Sequence, residues 1–180
     1  MRVISGKAKG TLLKTPEGMQ TRPTADRVKE AVFSVIQFDI PNARVLDLFG
    51  GTGQLGIEAL SRGAKRAVFV DAGEAACKLI RENLKKTHLE QDGQIVRSDY
   101  MAYLQRTRET FDIIFLDPPY AEVFLENALK CITQIDILQS GGIIVTERPL
   151  DKDLPFEFEG FSRSRDYKYG KTLLTIYRKL

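Results

Sequence analysis

The chain has 180 residues, 43% of them hydrophobic and 28% charged, which predicts a single domain over residues 1–180 with a substantial core. No apolar stretch is long enough to cross a membrane and the amino terminus has no apolar leader, so a cytoplasmic location is expected. Two cysteines, Cys77 and Cys131, and the lone His88 have no ligand or triad spacing. This argues against a metal site and against a histidine-activated nucleophile.

Charge is unevenly distributed along the chain. Residues 1–29 carry seven Lys or Arg and two acidic residues, and residues 161–180 carry six and one. The middle, 30–160, carries 14 basic and 21 acidic residues. Basic ends that flank an acidic body suggest a surface for a polyanion, with a pair of solvated tails as the alternative.

Strands and helices alternate along the chain, which is typical of the α/β class. In chain order the patterns first predict a basic arm (1–24), a helix with apolar positions from Val28 to Ile36, a buried strand (43–49) and a glycine loop (50–56) that opens a helix ending at Gly63. A strand (67–71), a helix through Leu84, a strand (94–96), a helix near Met101 to Arg106 and a strand ending at Asp117 are predicted next. The last predicted elements are a helix from about Glu122 to Ile135, the strand IIVTE (143–147) and two alternating strands joined around Gly170. The expected architecture is a central, mostly parallel seven-stranded sheet with helices on both faces and an antiparallel carboxyl-terminal hairpin.

The glycine loop carries the spacing of a dinucleotide-binding site. Gly51, Gly53 and Gly56 satisfy G-x-G-x-x-G, and Asp71 lies twenty residues beyond Gly51. A nicotinamide-dependent oxidoreductase is therefore one alternative. Against it, Asp47 ends the preceding strand, where its carboxylate would face a pyrophosphate; two like charges about 4 Å apart cost roughly 4 kcal/mol at an effective dielectric of 20. The loop favours a cationic ligand without phosphate.

S-adenosylmethionine fits that description because it carries an ammonium and a sulfonium. Asp47 is placed to hold the ammonium, Asp71 to accept from both ribose hydroxyls, and Asp99 to accept from the adenine amino group. A turn or a helix cap is the alternative role for each acid. The predicted cofactor-binding residues are Asp47, Phe49, Gly50, Gly51, Thr52, Gly53, Asp71, Ala72, Asp99 and Tyr100.

The segment FDIIFLDPPY predicts a buried strand that stops at a proline pair. It presents the Asp117 carboxylate, carbonyls held by Pro118 and Pro119, and the flat ring of Tyr120. All of these groups accept hydrogen bonds or stack, so the segment suits a planar group that bears an NH2. A plain turn is the alternative.

Together VLDLFGGTG, VFVD, SDY and LDPPY resemble the class I S-adenosylmethionine-dependent methyltransferases, which have a Rossmann-like fold. RVISGKAKG, TRPTADRVKEAVF and DLFGGTGQLGIEALSRGA are similar to the bacterial RsmD-type family, which methylates the exocyclic N2 of one guanine in 16S ribosomal RNA. The similarity spans nearly the whole chain. It departs from the family at GGTGQLG, where relatives have alanine and serine, and at Asp71, where glutamate is frequent. Because LDPPY also marks DNA-adenine and protein-glutamine methyltransferases, those substrates stay open.

This resemblance implies a role for each group of residues. Asp117 and the Pro118 carbonyl would accept the two N–H bonds of the amine, Pro119 would stiffen the turn and Tyr120 would stack on an extruded base. The expected partner is ribosomal RNA, naked or within a partly assembled small subunit; a noncatalytic RNA-binding module is a rival reading. RNA contacts are predicted at Arg2, Lys7, Lys9, Lys14, Arg22, Thr24, Arg27, Lys168 and Lys171. Arg22 and Arg27 have ion pairs with the core as an alternative role, and removal of residues 1–20 is expected to leave the domain folded.

Overall fold

The computed structural model describes residues 1–18, 23–119, 122–151, 158–164 and 166–180, and at 23–25 and 122 it describes only the backbone. Five helices and eight strands form among these residues. The helices are α1 (Pro23–Val35), α2 (Gln54–Ser61), α3 (Glu74–Lys86), α4 (Tyr100–Arg106) and α5 (Glu122–Gln134). The strands are β1 (Arg44–Asp47), β2 (Arg66–Asp71), β3 (Gly93–Arg97), β4 (Phe111–Leu116), β5 (Leu138–Pro149), β6 (Phe161–Arg163), β7 (Tyr167–Tyr169) and β8 (Thr172–Lys179).

The strands make one sheet in the order β3-β2-β1-β4-β5-β8-β6, and β7 also pairs with β8. Strands β1 to β5 are parallel, and β8 is antiparallel to β5. Because β6 and β7 lie along the same edge of β8, the described sheet is seven strands wide. The predicted architecture is confirmed. The strand order reverses between β1 and β4, and ligands of open α/β sheets bind outside the carboxyl ends of the strands at such a point.

Helices cover both faces of the sheet. On one face α1, α2 and α3 bury residues such as Phe33, Ile57 and Ile80 against Phe69 and Phe115. On the other face α4 and α5 cover a second cluster, which includes Leu46, Val68, Tyr103, Ile114, Leu129 and Ile144. Burying each large apolar side chain contributes about 1.5–3 kcal/mol. The even and odd positions of the central strands belong to different clusters, as the period of two in a strand requires.

Two strand boundaries differ most from the sequence-based expectation. Strand β1 ends at Asp47 rather than at residue 49, because a turn begins at Leu48 and leads into the glycine loop. Strand β5 begins at Leu138, before the expected start at residue 143, with a register shift against β4 between Phe111 and Ile113. Gly141, with φ 76°, lies at that irregularity, where a left-handed residue makes a bulge possible.

Residues 1–14 form an amino-terminal hairpin that packs on the body instead of projecting from it. Val3 donates to the Thr11 carbonyl at 3.0 Å, and Leu13 donates to the Met1 carbonyl at 2.9 Å. Val3, Ala8 and Leu13 are buried in the same cluster as α1 and α2. The basic segment therefore contributes to the hydrophobic core.

A buried acid and a buried amide anchor this hairpin. Glu58 of α2 is fully buried and accepts hydrogen bonds from the backbone of Ile4 at 2.8 Å and of Ser5 at 3.0 Å. Asn83 of α3 accepts from the Lys14 backbone at 2.7 Å and donates to the Lys14 carbonyl at 3.0 Å. These contacts do not support the expectation that residues 1–20 can be removed without unfolding.

The remaining structural expectations concern isolated residues. Cys77 and Cys131 are free thiols, buried and half-buried respectively, and His88 is exposed. Among the described residues, no helix combines the length and apolarity needed to cross a membrane.

Candidate active site

Acidic side chains follow all five parallel strands of the described sheet. Asp47 ends β1, Asp71 ends β2, Asp99 comes two residues after β3, Asp117 follows β4, and Glu147 lies near the end of β5. We call these five residues the acidic rim. Carboxyl ends of parallel strands meet at one edge of a sheet, so the rim outlines a crevice there. Sequence reasoning named four of its members and missed Glu147, although the segment IIVTE showed an acid at the end of a predicted strand.

Burial and mutual repulsion keep protons on part of the acidic rim. The pKa of Asp47 is raised to about 8, mainly by burial and also by the nearby charges of Asp117 and Asp71, and against the opposing hydrogen bond from Gly56. Burial also raises the pKa of Asp117 to about 6. The pKa of Glu147 rises to about 7 because of burial and the Asp117 charge, opposed by a hydrogen bond from Thr172. A crevice with these properties favours cations and repels phosphate.

Asp47 lies at the bottom of the crevice and is only 2% exposed. Its Oδ2 accepts a hydrogen bond from the backbone of Gly56, in the first turn of α2, at 3.2 Å. With a pKa of about 8, this carboxyl is mostly protonated at neutral pH. A bound ammonium would lower that pKa, because an opposite charge favours the ionised form. Asp47 therefore fits its predicted partner.

The glycine loop has the backbone that its sequence predicts. Gly51 and Gly53 have φ of 55° and 79°, a conformation that costs residues with a Cβ more than it costs glycine. Gly56 has a different reason: a Cβ there would lie 2.3 Å from the ring of Phe69. Glycine at this position lets α2 pack directly on β2. The loop thus keeps a backbone without bulky side chains at the crevice, where a cofactor can approach closely.

Asp71 links the glycine loop to the turn after β2. Its Oδ2 accepts from the Gly51 backbone at 2.9 Å, and its Oδ1 accepts from the Gly73 backbone at 2.8 Å. Each carboxylate oxygen has a second lone pair, which leaves two acceptor positions for the predicted ribose hydroxyls. Ala72, also predicted at this site, is exposed between these two glycine contacts.

Asp99 caps α4, which was the alternative role considered for it. Its Oδ1 accepts from the backbone of Met101 at 2.9 Å and of Ala102 at 3.1 Å. The cap orients the carboxylate and leaves Oδ2 as the acceptor for an adenine amino group. Both roles are therefore compatible in one residue.

Three aromatic rings form a row beside Asp99. The rings of Phe49 and Tyr100 lie 5.1 Å apart between centroids, and those of Tyr100 and Phe124 lie 5.5 Å apart. Phe49 and Tyr100 were predicted at the cofactor site, whereas Phe124 of α5 was not. Phe124 is 39% exposed, so part of its ring remains available to a flat ligand. No sequence pattern distinguished Phe124 from the other apolar residues of its helix.

The LDPPY motif lies at the switch point, between β1 and β5. Asp117 and Pro118 are half-buried and Pro119 is exposed. Tyr120 and Arg22 lie outside the described residues, as does the side chain of Thr24. The structure thus brings Asp117, Pro118 and Pro119 to the crevice that Asp47 lines.

The predicted RNA contacts of the amino-terminal hairpin divide into two places. The Lys14 carbonyl and the Thr52 carbonyl accept from the same Asn83 amide, which puts Lys14 beside the glycine loop. The Lys7 backbone instead donates to the Ser61 carbonyl at the other end of α2. Since α2 has eight residues, the two ends are about 12 Å apart. Arg2, Lys7, Lys9 and Lys14 are all exposed, with Arg2 paired across the hairpin to Leu12 and Lys9 near the far end.

The carboxyl-terminal hairpin reaches the crevice. Lys168 and Lys171 flank Gly170, which turns the chain with φ 59°, and both lysines are exposed. The next residue, Thr172, pairs with Pro149 at the end of β5. The tip of this hairpin therefore lies next to Glu147, the β5 member of the acidic rim.

Helix α1 also points its amino terminus toward the crevice. Asp39, just after α1, pairs at 3.0 Å with Arg178, which lies opposite Ile143 at the beginning of the regular part of β5. The ring centroid of Phe33, earlier in the chain, lies 5.6 Å from that of Phe115 near the carboxyl end of β4. From Phe33 to Asp39 the chain thus runs toward the beginnings of the strands, so the helix is antiparallel to β4. Arg27, exposed in the first turns of α1, consequently lies toward the carboxyl ends of the strands.

Comparisons with known proteins give the family. The family model described as "Conserved hypothetical protein 95" matches residues 1–178. YlbH of Bacillus subtilis (strain 168) is 43% identical over 182 residues, covering 99% of each chain. Ribosomal RNA small subunit methyltransferase D of Escherichia coli (strain K12) is 30% identical, over 99% of this chain and 90% of that protein. The chain belongs to the RsmD-type methyltransferase family.

A solved structure agrees with this assignment. The yhhF protein of Escherichia coli is 28% identical and superposes with a TM-score of 0.89, over 99% of this chain and 97% of that one. The predicted resemblance to the RsmD-type family is confirmed, and so is the class I methyltransferase fold. The nicotinamide oxidoreductase is set aside by the same finding.

Proposed function

We propose that this RsmD-type protein transfers a methyl group from S-adenosylmethionine to the exocyclic N2 amine of a guanine in 16S ribosomal RNA. The observation that carries the proposal is the position of the Asp117-Pro118 turn, at the switch point of the sheet and beside the buried Asp47. Family membership supports the reaction class, and the Escherichia coli relative is named for ribosomal RNA of the small subunit.

The cofactor-binding residues fit a cationic cofactor without phosphate. Asp47 would hold the ammonium, and the glycine loop would lie under the rest of the amino-acid portion. Asp71 would hold the ribose, while Asp99 and the ring of Tyr100 would contact the adenine. When bound, S-adenosylmethionine supplies an electrophilic methyl group. The acidic rim would exclude a pyrophosphate from the same loop.

Asp117 and Pro118 would position the amine. The lone pair of an aryl amine is delocalised into the ring, so the amine is a poor nucleophile and needs orientation. A carboxylate and a carbonyl that accept its two N–H bonds draw the nitrogen toward tetrahedral geometry and stabilise the positive charge that it gains. Since the pKa of Asp117 is about 6, its carboxylate is mostly ionised at neutral pH and can accept the amine proton after transfer. Tyr120 would stack on the base and Pro119 would keep the turn rigid.

RNA would approach over the basic residues around the crevice. Lys168 and Lys171 on one side, Lys14 on the other and Arg27 on α1 would contact the RNA beside the acidic rim. Arg2, Lys7 and Lys9 would extend this contact, and Arg22 and Thr24 remain proposed contacts. Replacing Lys168 and Lys171 by Glu should weaken RNA binding and flatten its dependence on salt concentration, because each phosphate contact releases counterions. The matched control reverses two charges elsewhere: Lys65→Glu with Lys86→Glu, exposed residues that precede β2 and β3 at the amino ends of the strands. Equal weakening by the control would argue against a binding role of this hairpin.

The substrate is proposed to be the RNA within a partly assembled small subunit in the cytoplasm. A target nucleotide in folded RNA needs a defined shape around it, and a chain of 180 residues has a small contact surface of its own. Comparing naked 16S RNA with assembly intermediates as methyl acceptors tests this proposal. Equal rates on both acceptors would contradict it.

The test of the reaction is transfer of a labelled methyl group to small-subunit RNA, followed by mapping of the labelled base. We expect N2-methylguanine at one position. Asp117→Ala should abolish transfer while the affinity for S-adenosylmethionine, measured by calorimetry, persists. Label in adenine, in DNA or in protein glutamine would refute the substrate, and retained turnover with lost cofactor affinity would refute the role of Asp117.

A further inference from the structure

Glu147 is the member of the acidic rim without a role in the reaction described so far. Register pairs Leu116 of β4 with Thr146 of β5, so the residues that follow, Asp117 and Glu147, are neighbours at the strand ends. The period of two puts Glu147 on the same face of β5 as Ile143 and Val145, which belong to the cluster under α1. Its side chain therefore lies on the side of the sheet where Asp47 and Asp117 line the crevice.

The surroundings of Glu147 hold its carboxyl in one place. Thr172 of β8 donates a side-chain hydrogen bond to it, and the Asp117 charge acts on it from β4. The side chain is half-buried between these strands. Arg148, the next residue, lies on the other face and pairs with Asp166 at 2.9 Å. Glu147 is thus a fixed hydrogen-bond acceptor next to Asp117, the residue that would accept an N–H of the target amine.

Guanine presents two kinds of donor side by side on its Watson–Crick edge. The N2 amine, where the methyl group goes, is adjacent to the ring N1–H. Adenine presents its N6 amine next to a bare N1, which is an acceptor, and a glutamine amide has no ring nitrogen. Enzymes that extrude a base read this edge with hydrogen bonds. A second carboxylate beside Asp117 therefore matches guanine and opposes the other two substrates of LDPPY enzymes.

We propose that Glu147 accepts a hydrogen bond from N1–H of the target guanine and thereby makes the site select a guanine N2 amine over an amine beside a bare ring nitrogen. This inference rests on the proposed function. At a pH above the Glu147 pKa of about 7 the group is a carboxylate, and the substrates are compared at such a pH. A carboxylate that faces a lone pair loses its hydrogen bond and is repelled, which corresponds to about a 10- to 100-fold preference for guanine.

The test uses two RNAs that differ in a single base. Once the methylated position is mapped, it is replaced by 2-aminopurine, which keeps the N2 amine but has a bare N1. The wild-type protein should methylate the guanine RNA about 10- to 100-fold faster than the 2-aminopurine RNA. Equal rates would overturn the inference, and this comparison needs no variant. If the wild-type protein methylates neither RNA, the proposed function itself fails.

Variants then assign the preference to Glu147. Glu147→Gln keeps the size of the side chain and adds an amide N–H that can donate to a bare N1, so the preference should fall to about twofold or reverse. 2-Aminopurine also lacks the O6 of guanine, and this loss affects both proteins equally. Comparing the guanine-to-2-aminopurine rate ratio of the variant with that of the wild type removes its effect. Glu90→Gln, an exposed carboxyl after α3, should keep the wild-type ratio. An unchanged ratio in Glu147→Gln, with unchanged affinity for S-adenosylmethionine, would overturn the inference.

Discussion

The substitution Asp47→Asn separates the electrostatics of the crevice from its shape. The amide keeps the size of the carboxyl and its acceptor for the Gly56 backbone, but it does not titrate. In the folded protein the pKa of Asp47 rises from 3.8 to about 8, so between these values the folded state binds one proton more than the unfolded state. The free energy of unfolding of the wild-type protein should then fall as pH rises through this window, by about 1.4 kcal/mol per pH unit from this group alone.

The variant lacks this contribution, so its stability relative to the wild type should change with pH. From pH 5 to pH 7 the difference should move in favour of Asp47→Asn by about 2–3 kcal/mol, and it should level off above about pH 8. Below about pH 8 Asp47 is mostly uncharged, as the amide is, so Asp117 and Glu147 titrate alike in both proteins and their slopes cancel in this range. Urea unfolding of both proteins at each pH measures the difference, with Glu90→Gln as the control for loss of an exposed carboxyl. A difference that does not vary with pH would refute a protonated Asp47.

Cofactor binding gives a second readout of the same carboxyl. At pH 7 a group with a pKa of about 8 is about 90% protonated, so a bound ammonium that ionises it should release close to one proton. Calorimetry in two buffers with different enthalpies of ionisation counts this proton. Asp47→Asn should release almost none and should bind S-adenosylmethionine at least about tenfold more weakly. Equal proton release by both proteins would show that the ammonium lies elsewhere.

Other predictions concern packing. Gly56→Ala should destabilise the protein by about 1–3 kcal/mol in urea, because the added Cβ would lie 2.3 Å from the Phe69 ring; wild-type stability would contradict this packing. Deleting residues 1–14 should lower the thermal midpoint strongly or prevent folding, because it leaves Glu58 and Lys29 buried with fewer partners. A deletion protein that unfolds at the wild-type temperature would show that the hairpin contributes little.

Local patterns in the sequence were enough to predict most of the site. The glycine loop, the acids after the first four strands and LDPPY each lie within a short segment where strand period and turn chemistry act together. Asp99 shows the limit of that reasoning. Its position in the sequence predicts both an acid at a strand end and a helix cap. Only the structure shows that Oδ1 accepts the cap hydrogen bonds and that Oδ2 does not take part in them.

Contacts between distant segments could not be predicted in this way. The amino-terminal hairpin is held by Glu58 and Asn83, which lie 53 to 69 residues away along the chain. No sequence pattern around either residue indicates which segment it contacts. Glu147 becomes significant only when register puts β5 beside β4. Strand β6 was missed because it pairs with the far end of β8, whereas β7, which is equally short, is joined to β8 by the turn at Gly170.

The hairpin also constrains the order in which the chain can fold during translation. Residues 1–14 are synthesised before α2 and α3, yet Ile4 needs Glu58 and Lys14 needs Asn83 to satisfy their backbone N–H groups. The nascent segment therefore cannot dock, and Val3 and Leu13 stay exposed, until roughly half of the chain has left the ribosome. Its basic, glycine-containing sequence keeps it dispersed during that interval, so solubility of the growing chain is a second demand on the residues that later border the cofactor loop.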